Sequence, residues 1–305
     1  MKKTKIGIPR AFLYYRYNVL WKNFFEGIDC NVILSGETNK EIVDNGKKYS
    51  IDECCLASKI YMGHVYYLLD KCDYILIPRV CDYGKGNKVC VKFNGIYDIV
   101  KNTYPNINIL DYNLEYKKNY NEFFAFMKMG FKLKKNIFRV LFSYLRAKKL
   151  EKRYYTRLEN SQVNIVKNNN LKVLVVAHPY IIYDKYIGNT IINFLKKENI
   201  DIVYASRLNR KIAVSYAKDL SDSLYWLYSK ELIGAVAYYK QAVDGIIFIT
   251  AFPCGPDSLV NELIIRKVRD VPITNIIIDE STAEAGLETR LESFIDIIKS
   301  RCDNE

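Results

Sequence analysis

Short apolar runs alternate along the chain with longer stretches in which apolar residues recur at helical spacing. The clearest run covers residues 245–251 and is followed at once by proline, glycine and aspartate. Such a run predicts a buried strand that ends in a turn, and residues 261–268 then resume helical spacing. Cys254 therefore lies on a predicted strand-to-helix turn, and we expect the helix to begin at Asp257 or Ser258.

The same alternation occurs in both halves of the chain. Strands are predicted at 5–8, 31–34, 73–79, 107–110, 172–177, 201–205, 245–251 and 273–278, with helices at 14–27, 189–197 and 286–299 among others. Thr38, with Glu41 three residues later, predicts a helix start, and Pro78 and Arg79 close the third strand. This order is typical of an α/β protein with two Rossmann-like or flavodoxin-like domains, each built on a parallel sheet. The halves share no residue-level repeat, so we expect similarity in architecture alone.

A basic helical segment separates the two halves. Lys and Arg outnumber Asp and Glu by twelve in the whole chain, and nine of these excess charges lie between residues 113 and 160. Apolar residues recur there at intervals of three, four and seven, with basic residues between them: Phe124, Met127, Phe131, Phe138, Phe142 and Leu145. We interpret the segment as a packed helix with a solvated basic face, and docking of an acidic partner or anionic ligand is the alternative. The predicted divisions are an N-terminal α/β domain at 1–112, a basic helical connector at 113–170 and a C-terminal α/β domain at 171–305.

Composition narrows the class of protein. The sequence has no run of about 18 apolar residues, so no membrane span is predicted. Pro9 and Arg10 precede any hydrophobic segment of signal-peptide length, and we therefore expect a cytoplasmic location. The eight cysteines lack the dense spacing of a small secreted scaffold, which favours thiols, metal ligands or packing over disulfides. The basic residues accompany no recognised nucleic-acid motif, so nucleic acid is not an expected partner.

Three cysteines occupy predicted helix starts or strand ends. Cys55 precedes a helical pattern, Cys90 follows the loop that leaves the third strand, and Cys254 follows the run described above. In parallel α/β sheets, ligands collect at the carboxyl ends of strands, and a helix N-terminus favours negative charge on a nearby sulfur. Spacing alone leaves open both a shared metal site and ordinary packing. A zinc ion would need a fourth ligand, for which His64 and His178 are the only histidines, and His178 at a strand end is the better candidate.

Several short motifs occur in order along nearly the whole chain. They are Gly7-Ile-Pro-Arg-Ala11, Tyr14-Tyr-Arg-Tyr17, Trp21-Lys22, Thr38-Asn-Lys40, Asp52-Glu53 with Cys55 and Lys59, Gly63-His64, Ile77-Pro78-Arg79, His178-Pro-Tyr180, Val243-Asp-Gly245, Phe252-Pro-Cys-Gly-Pro-Asp-Ser258, Ile278-Asp-Glu280, Glu284-Ala-Gly286 and Thr289-Arg-Leu-Glu292. With these motifs the chain resembles the acyl-CoA dehydratase activase-related proteins, which are relatives of 2-hydroxyacyl-CoA dehydratase subunits and double-cubane cluster proteins.

The resemblance implies an iron–sulfur protein of anaerobes that acts in low-potential electron transfer or as a reductase or dehydratase component. Its electrons would come from a separate ATP-hydrolysing activase with its own iron–sulfur cluster, and a homologous subunit or a second copy is a further implied partner. The family's cluster ligands fall on Cys55, Cys90 and Cys254. Three thiolates imply a [4Fe–4S] cluster with one iron open, or a double-cubane cluster.

The chain also departs from the family pattern. The family has proline soon after its first cysteine and directly after its second, where this chain has Leu56-Ala57 and Val91. Cys54 and Cys81 lie near the presumed site as additional ligands, exchanged ligands or packing residues. Two other hypotheses remain: a non-catalytic regulatory or scaffold subunit that docks an acidic partner, and a zinc-binding protein that uses the same cysteines.

Overall fold

The structure, a computed structural model, describes residues 3–84, 86–281 and 284–302, without the side chains of residues 284 and 285. The chain forms two compact units, Met1–Thr156 and Arg157–Glu305. Each unit contains a four-stranded parallel sheet with helices packed against it. Among the described helices, none combines the length and the apolar character needed to cross a membrane.

The first unit follows the order predicted for an α/β domain. Its strands are β1 (Lys5–Ile8), β2 (Asn31–Leu34), β3 (Tyr74–Asp82) and β4 (Ile109–Glu115), and its helices are α1 (Tyr14–Gly27), α2 (Lys40–Lys48), α3 (Leu56–Leu68), α4 (Val91–Thr103) and α5 (Glu122–Lys132). The sheet order is β2-β1-β3-β4, with every neighbouring pair parallel. The core side of α1 carries the buried aromatic residues Tyr17, Trp21, Phe24 and Phe25.

The second unit repeats this topology. The long helix α6 (Ile137–Lys167) contains the division between the units and precedes β5 (Lys172–Val176), α7 (Pro179–Ile182), α8 (Asn189–Lys197), β6 (Asp201–Tyr204), α9 (Arg210–Tyr216), α10 (Leu227–Tyr239), β7 (Gly245–Ala251), α11 (Gly255–Lys267), β8 (Ile273–Ile278) and α12 (Glu284–Cys302). The sheet order β6-β5-β7-β8 matches that of the first unit strand for strand. The predicted α/β class with two parallel sheets is confirmed, and so is the architectural similarity of the halves.

Strand β3 does not end at Pro78 and Arg79, as predicted, but continues to Asp82. Proline removes one backbone donor, which is harmful only where a neighbouring strand would accept it. Strand β1 pairs with β3 only at Tyr74 and Ile75, whereas the pairing with β4 continues past Pro78. The side of β3 that faces β1 is therefore unpaired at Pro78, and the strand tolerates it.

The predicted cap of α2 was wrong by one residue. Asn39 caps the helix, with its side chain accepting a hydrogen bond from the Ile42 backbone N–H. Thr38 instead is buried, and its hydroxyl lies 2.9 Å from His64 Nε2. The prediction assigned the N-cap of α2 to Thr38 instead of Asn39, because threonine and asparagine are both good N-cap residues.

His64 is fully buried in α3, and within the described residues its Nδ1 has no hydrogen-bond partner. Burial, together with a smaller effect of the nearby positive charge of Arg10, lowers the pKa of His64 from 6.5 to about 3. The folded protein therefore holds this imidazole neutral at pH values where the unfolded chain would protonate it. Among the described residues its hydrogen-bond partner is the Thr38 hydroxyl.

The neutral His64 predicts an acid-labile first unit. Below pH 6.5 the unfolded chain binds a proton at His64 that the folded chain does not bind. The free energy of unfolding is therefore unaffected by this group above pH 6.5 and decreases as the pH drops toward 3. Within this range, His64 should lower the free energy of unfolding by up to about 1.4 kcal/mol for each pH unit. His64→Gln, whose amide can still reach Thr38, should show a correspondingly smaller pH dependence of the urea midpoint between pH 7 and pH 5. Parallel pH profiles for the two proteins would contradict this account.

Helices α5 and α6 leave most of the predicted apolar stripe in solvent. The buried residues of α5 are Ala125, Phe126, Met129 and Gly130, and those of α6 include Val140, Ser143 and Ala147. Five of the six apolar residues in the predicted stripe are exposed: Phe124, Phe131, Phe138, Phe142 and Leu145. The helices are packed, but the predicted apolar stripe does not form the packed face, which consists of other residues: Ala125, Phe126, Met129, Val140, Ser143 and Ala147.

Candidate functional site

Two of the three candidate cysteines lie at the starts of neighbouring helices in the first unit. Cys55 is the N-cap residue of α3, and Cys90 is the N-cap residue of α4. Each helix leads into the amino end of its next strand, so both helix N-termini lie at the carboxyl edge of the parallel sheet. This edge is the one where α/β proteins bind ligands.

Cys55 is partly buried, and Cys90 lies near enough that a negative charge on it would raise the pKa of Cys55. Burial raises the pKa of Cys55 to about 11; the Ser58 backbone N–H lowers it, Cys90 raises it, and Lys92 lowers it again. The thiol is thus protonated at neutral pH unless a cation replaces its proton. A sulfur that receives a backbone N–H, next to a second cysteine, has the donor chemistry of a soft-metal site.

Lys92 connects this pair to a third thiol. Its ammonium group donates a hydrogen bond to Cys54 Sγ over 3.2 Å, and it also lies close enough to affect Cys55. Cys54 itself is buried next to Cys55. The sequence analysis predicted no role for Lys92. Its position two residues after Cys90 is the feature of the sequence that could have indicated one.

Cys81 has different surroundings. Its thiol donates to Asn94 Oδ1 over 3.0 Å. Burial raises the pKa of Cys81, and so does the carboxylate of Glu115. Of the two extra cysteines noted in the sequence, Cys54 is therefore the one whose charge reaches Cys55.

Cys254 lies in the second unit at the N-cap of α11. This helix begins at Gly255, earlier than the predicted start at Asp257 or Ser258, because Pro256 fits the first turn of a helix. Strand β7 before it is buried at every position. Cys254 and Cys90 hold equivalent places, since each begins the helix that follows the third strand of its sheet.

A buried hydrogen-bonded chain extends from Cys254. The Asp257 carboxylate accepts a hydrogen bond from the Cys254 thiol and lies 2.9 Å from His178 Nε2. Burial acts to raise the pKa of Asp257, but His178 and Cys254 together hold it below its ordinary value. His178 in turn stacks on Tyr180, with ring centroids 5.0 Å apart, and meets the edge of Tyr228.

The topology explains why these distant residues meet. His178 follows β5 and Asp257 follows β7, and these strands are neighbours at the point where the sheet order reverses. Such a switch point opens a crevice at the carboxyl edge of the sheet. His178 and Cys254 were candidates from the sequence, whereas Asp257 was missed there and treated only as a turn or helix-start residue.

The candidate ligands come from both units of the chain. Within the residues that the structure describes, no three His, Cys, Asp or Glu side chains are grouped closely enough to hold a metal ion. Cys55 and Cys90 form a two-sulfur pair in the first unit, and Cys254 belongs to the second. All three candidates are cysteines at helix starts, and thiolate is the donor type that iron–sulfur clusters use.

Comparison with known proteins identifies the family. A family model described as "CoA enzyme activase uncharacterised domain (DUF2229)" matches residues 5–208, which include Cys55, Cys90 and His178 but not Cys254. No curated protein matches the chain significantly. The match covers more than half of the chain, confirms the resemblance to activase-related proteins and supports a role related to the activation of CoA enzymes. The chain therefore belongs to the CoA enzyme activase uncharacterised domain family.

Proposed function

We propose that this protein is an iron–sulfur component that receives low-potential electrons from a separate ATP-hydrolysing activase and passes them to a partner enzyme or small substrate. The observation that carries the proposal is the Cys55–Cys90 pair at the starts of α3 and α4, inside the family-matched region. Cys55, Cys90 and Cys254 are the residues that would hold a [4Fe–4S] cluster. When bound, such a cluster supplies a one-electron carrier whose potential depends on burial and on hydrogen bonds to sulfur.

The surroundings of Cys55 would have two opposing effects on that potential. The low solvent access that raises the pKa of Cys55 opposes added negative charge and favours a low potential. The Ser58 N–H and the Lys92 ammonium group stabilise negative charge on sulfur and act the other way. Lys92 can thus adjust the electron affinity of the site without being a ligand.

Asp257 and His178 would position the third sulfur. Asp257 holds the Cys254 thiol by a hydrogen bond, and the 2.9 Å contact to His178 fixes the carboxylate in turn. Both residues are buried, which keeps the orientation of the Cys254 side chain independent of solvent. We assign them a positioning role.

The proposal predicts that anaerobically purified protein contains iron and acid-labile sulfide in a ratio near that of a cubane cluster. Dithionite-reduced protein should show an electron paramagnetic resonance signal that scales with the iron bound per chain. A colourless, iron-free wild type after anaerobic reconstitution would reject the proposal. Stoichiometric zinc in place of iron would favour the zinc-binding alternative.

A scaffold role is the second candidate, and the exposed apolar and basic face of α5 and α6 favours it. In that case partner binding should be unaffected when Cys55, Cys90 and Cys254 are all replaced by serine. Under the iron–sulfur proposal the same triple variant loses electron transfer even where it still binds.

A further inference from the structure

A row of exposed apolar side chains runs along the first half of α6. Phe138, Phe142 and Leu145 follow one another at intervals of four and three residues, so they lie on one face of the helix. Each is more than half exposed, and Phe131 at the end of α5 is 86% exposed. Solvated aromatic side chains at this density mark interaction surfaces in other proteins.

Cations continue the row. Lys149 and Lys152 extend the same spacing along α6, and both are exposed. The side chains of five cations in this region have no ion pair or hydrogen bond with any other residue that the structure describes: Lys134, Arg146, Lys149, Lys152 and Arg153. Other lysines nearby are already used within the first unit, as when Lys128 pairs with Asp111 at 2.6 Å and Lys148 with Glu122 at 2.9 Å. The face therefore has an apolar end and a basic end, and the lysines of the basic end form no ion pair with a described residue.

We propose that this face of α6, defined by Phe138, Phe142, Leu145, Lys149 and Lys152, docks an acidic amphipathic helix of a partner protein. The four-and-three spacing is the one that packs against another helix, and complementary charge determines which helix fits. The partner helix carries apolar side chains opposite the phenylalanines and Asp or Glu opposite the lysines. The inference stands apart from the iron–sulfur proposal, because it uses no cysteine.

Charge and placement argue against two other occupants. A second copy of this chain would place cations opposite cations if the helices paired parallel, and opposite phenylalanines if they paired antiparallel. Neither arrangement gives the lysines an opposite charge. A lipid bilayer would need the whole face to be apolar, with its cations on the flanks. Lys149 and Lys152 instead lie in line with the apolar row, so a bilayer would have to desolvate them.

The test uses a fluorescein-labelled helical peptide of about three heptads. The peptide has leucines at its contact positions in one half and glutamates in the other, and a second peptide has the halves exchanged, so that either helix direction is covered. Binding to the full-length protein is measured by fluorescence anisotropy. At least one of these two patterned peptides should bind, whereas a scrambled peptide of equal composition should not. Added salt should weaken binding.

The variants separate the apolar end from the basic end. Phe138→Ser with Phe142→Ser should weaken binding about tenfold or more, as removal of central aromatic anchors does elsewhere. Lys149→Glu with Lys152→Glu should also weaken binding, and added salt should no longer weaken it further, because the new carboxylates repel the glutamates of the peptide and salt screens that repulsion. The matched control is Lys40→Glu with Lys211→Glu, which changes net charge equally at exposed first-turn positions of α2 and α9. This control should bind like the wild type.

Three results would overturn the proposal. The first is equal binding of the patterned and the scrambled peptides. The second is retention on phosphatidylserine vesicles that depends on Phe138 and Phe142 in the absence of peptide binding, which identifies a membrane as the occupant. The third is a dimer detected by light scattering that the phenylalanine variant dissociates, which identifies a second copy. Iron content is measured on the same samples, so failure of the docking proposal is distinguishable from failure of the iron–sulfur proposal.

Discussion

Serine in place of Cys55 or Cys90 is expected to remove most of the iron and acid-labile sulfide from anaerobically reconstituted protein. The two thiols interact electrostatically at adjacent helix starts, and Cys55 also receives the Ser58 N–H. Loss of either sulfur leaves a single ligand in the first unit, too few to retain a cluster that depends on thiolates. Cys254→Ser should have a comparable effect. Iron per chain and the visible absorption of the oxidised protein measure the result.

The chain offers internal controls for this experiment. Cys302→Ser removes an exposed thiol on α12, and Cys81→Ser removes one that is bonded to Asn94. Both variants should retain the iron of the wild type. Full iron in Cys55→Ser together with its loss in Cys54→Ser would contradict the assignment and would transfer the ligand role to Cys54.

Gly63→Ala is expected to destabilise the first unit by about 3 kcal/mol, the upper range for overpacking a tight interior. Helices α2 and α3 touch through their backbones: a Cβ at Gly63 would lie 1.9 Å from the Ile42 carbonyl oxygen, and one at Gly46 would lie 2.0 Å from that of Lys59. No side-chain rotation can relieve a clash with backbone, so the helices must separate. Because Cys55 caps α3, the same shift should reduce iron binding.

Urea unfolding followed by Trp21 fluorescence measures the effect. Trp21 is buried in the first unit, and replacing Trp226 with Phe removes the signal of the second unit. Gly95→Ala is the matched control, since Gly95 lies inside α4 and a methyl group added there would meet no described atom within 4 Å. It should stabilise the protein by about 0.5–1 kcal/mol through helix propensity. Equal midpoints for Gly63→Ala and the parent protein would refute the close-contact argument.

Much of the fold was predictable where apolar runs end at residues with strong turn preferences. The strands Gly245–Ala251 and Ile273–Ile278 and the helix Asn189–Lys197 were predicted with the bounds that the structure shows. Predictions failed where a residue has more than one local option. Thr38 and Asn39 are both good caps, and Pro78 is compatible with a strand whose proline side is unpaired.

The exposed phenylalanines show a different kind of failure. Periodicity reports that Phe138, Phe142 and Leu145 share a face of α6, but it does not report which face the rest of the unit covers. Ser143 and Ala147 form the contact face because they allow close approach; Ser143, for example, lies against Gly27. Composition alone would have placed the phenylalanines inside.

The sequence by itself determined the alternation of strands and helices, and hence two parallel sheets whose carboxyl edges carry Cys55, Cys90 and Cys254. These features depend on local spacing and turn chemistry, which short segments encode. Only the tertiary structure decided that Lys92 donates to Cys54 while Cys81 bonds to Asn94, and that Asp257 joins Cys254 to His178. The contacts between Lys92 and Cys54 and between His178 and Asp257 join residues that are far apart along the chain. Which residues meet depends on strand order and helix packing, which no local pattern specifies.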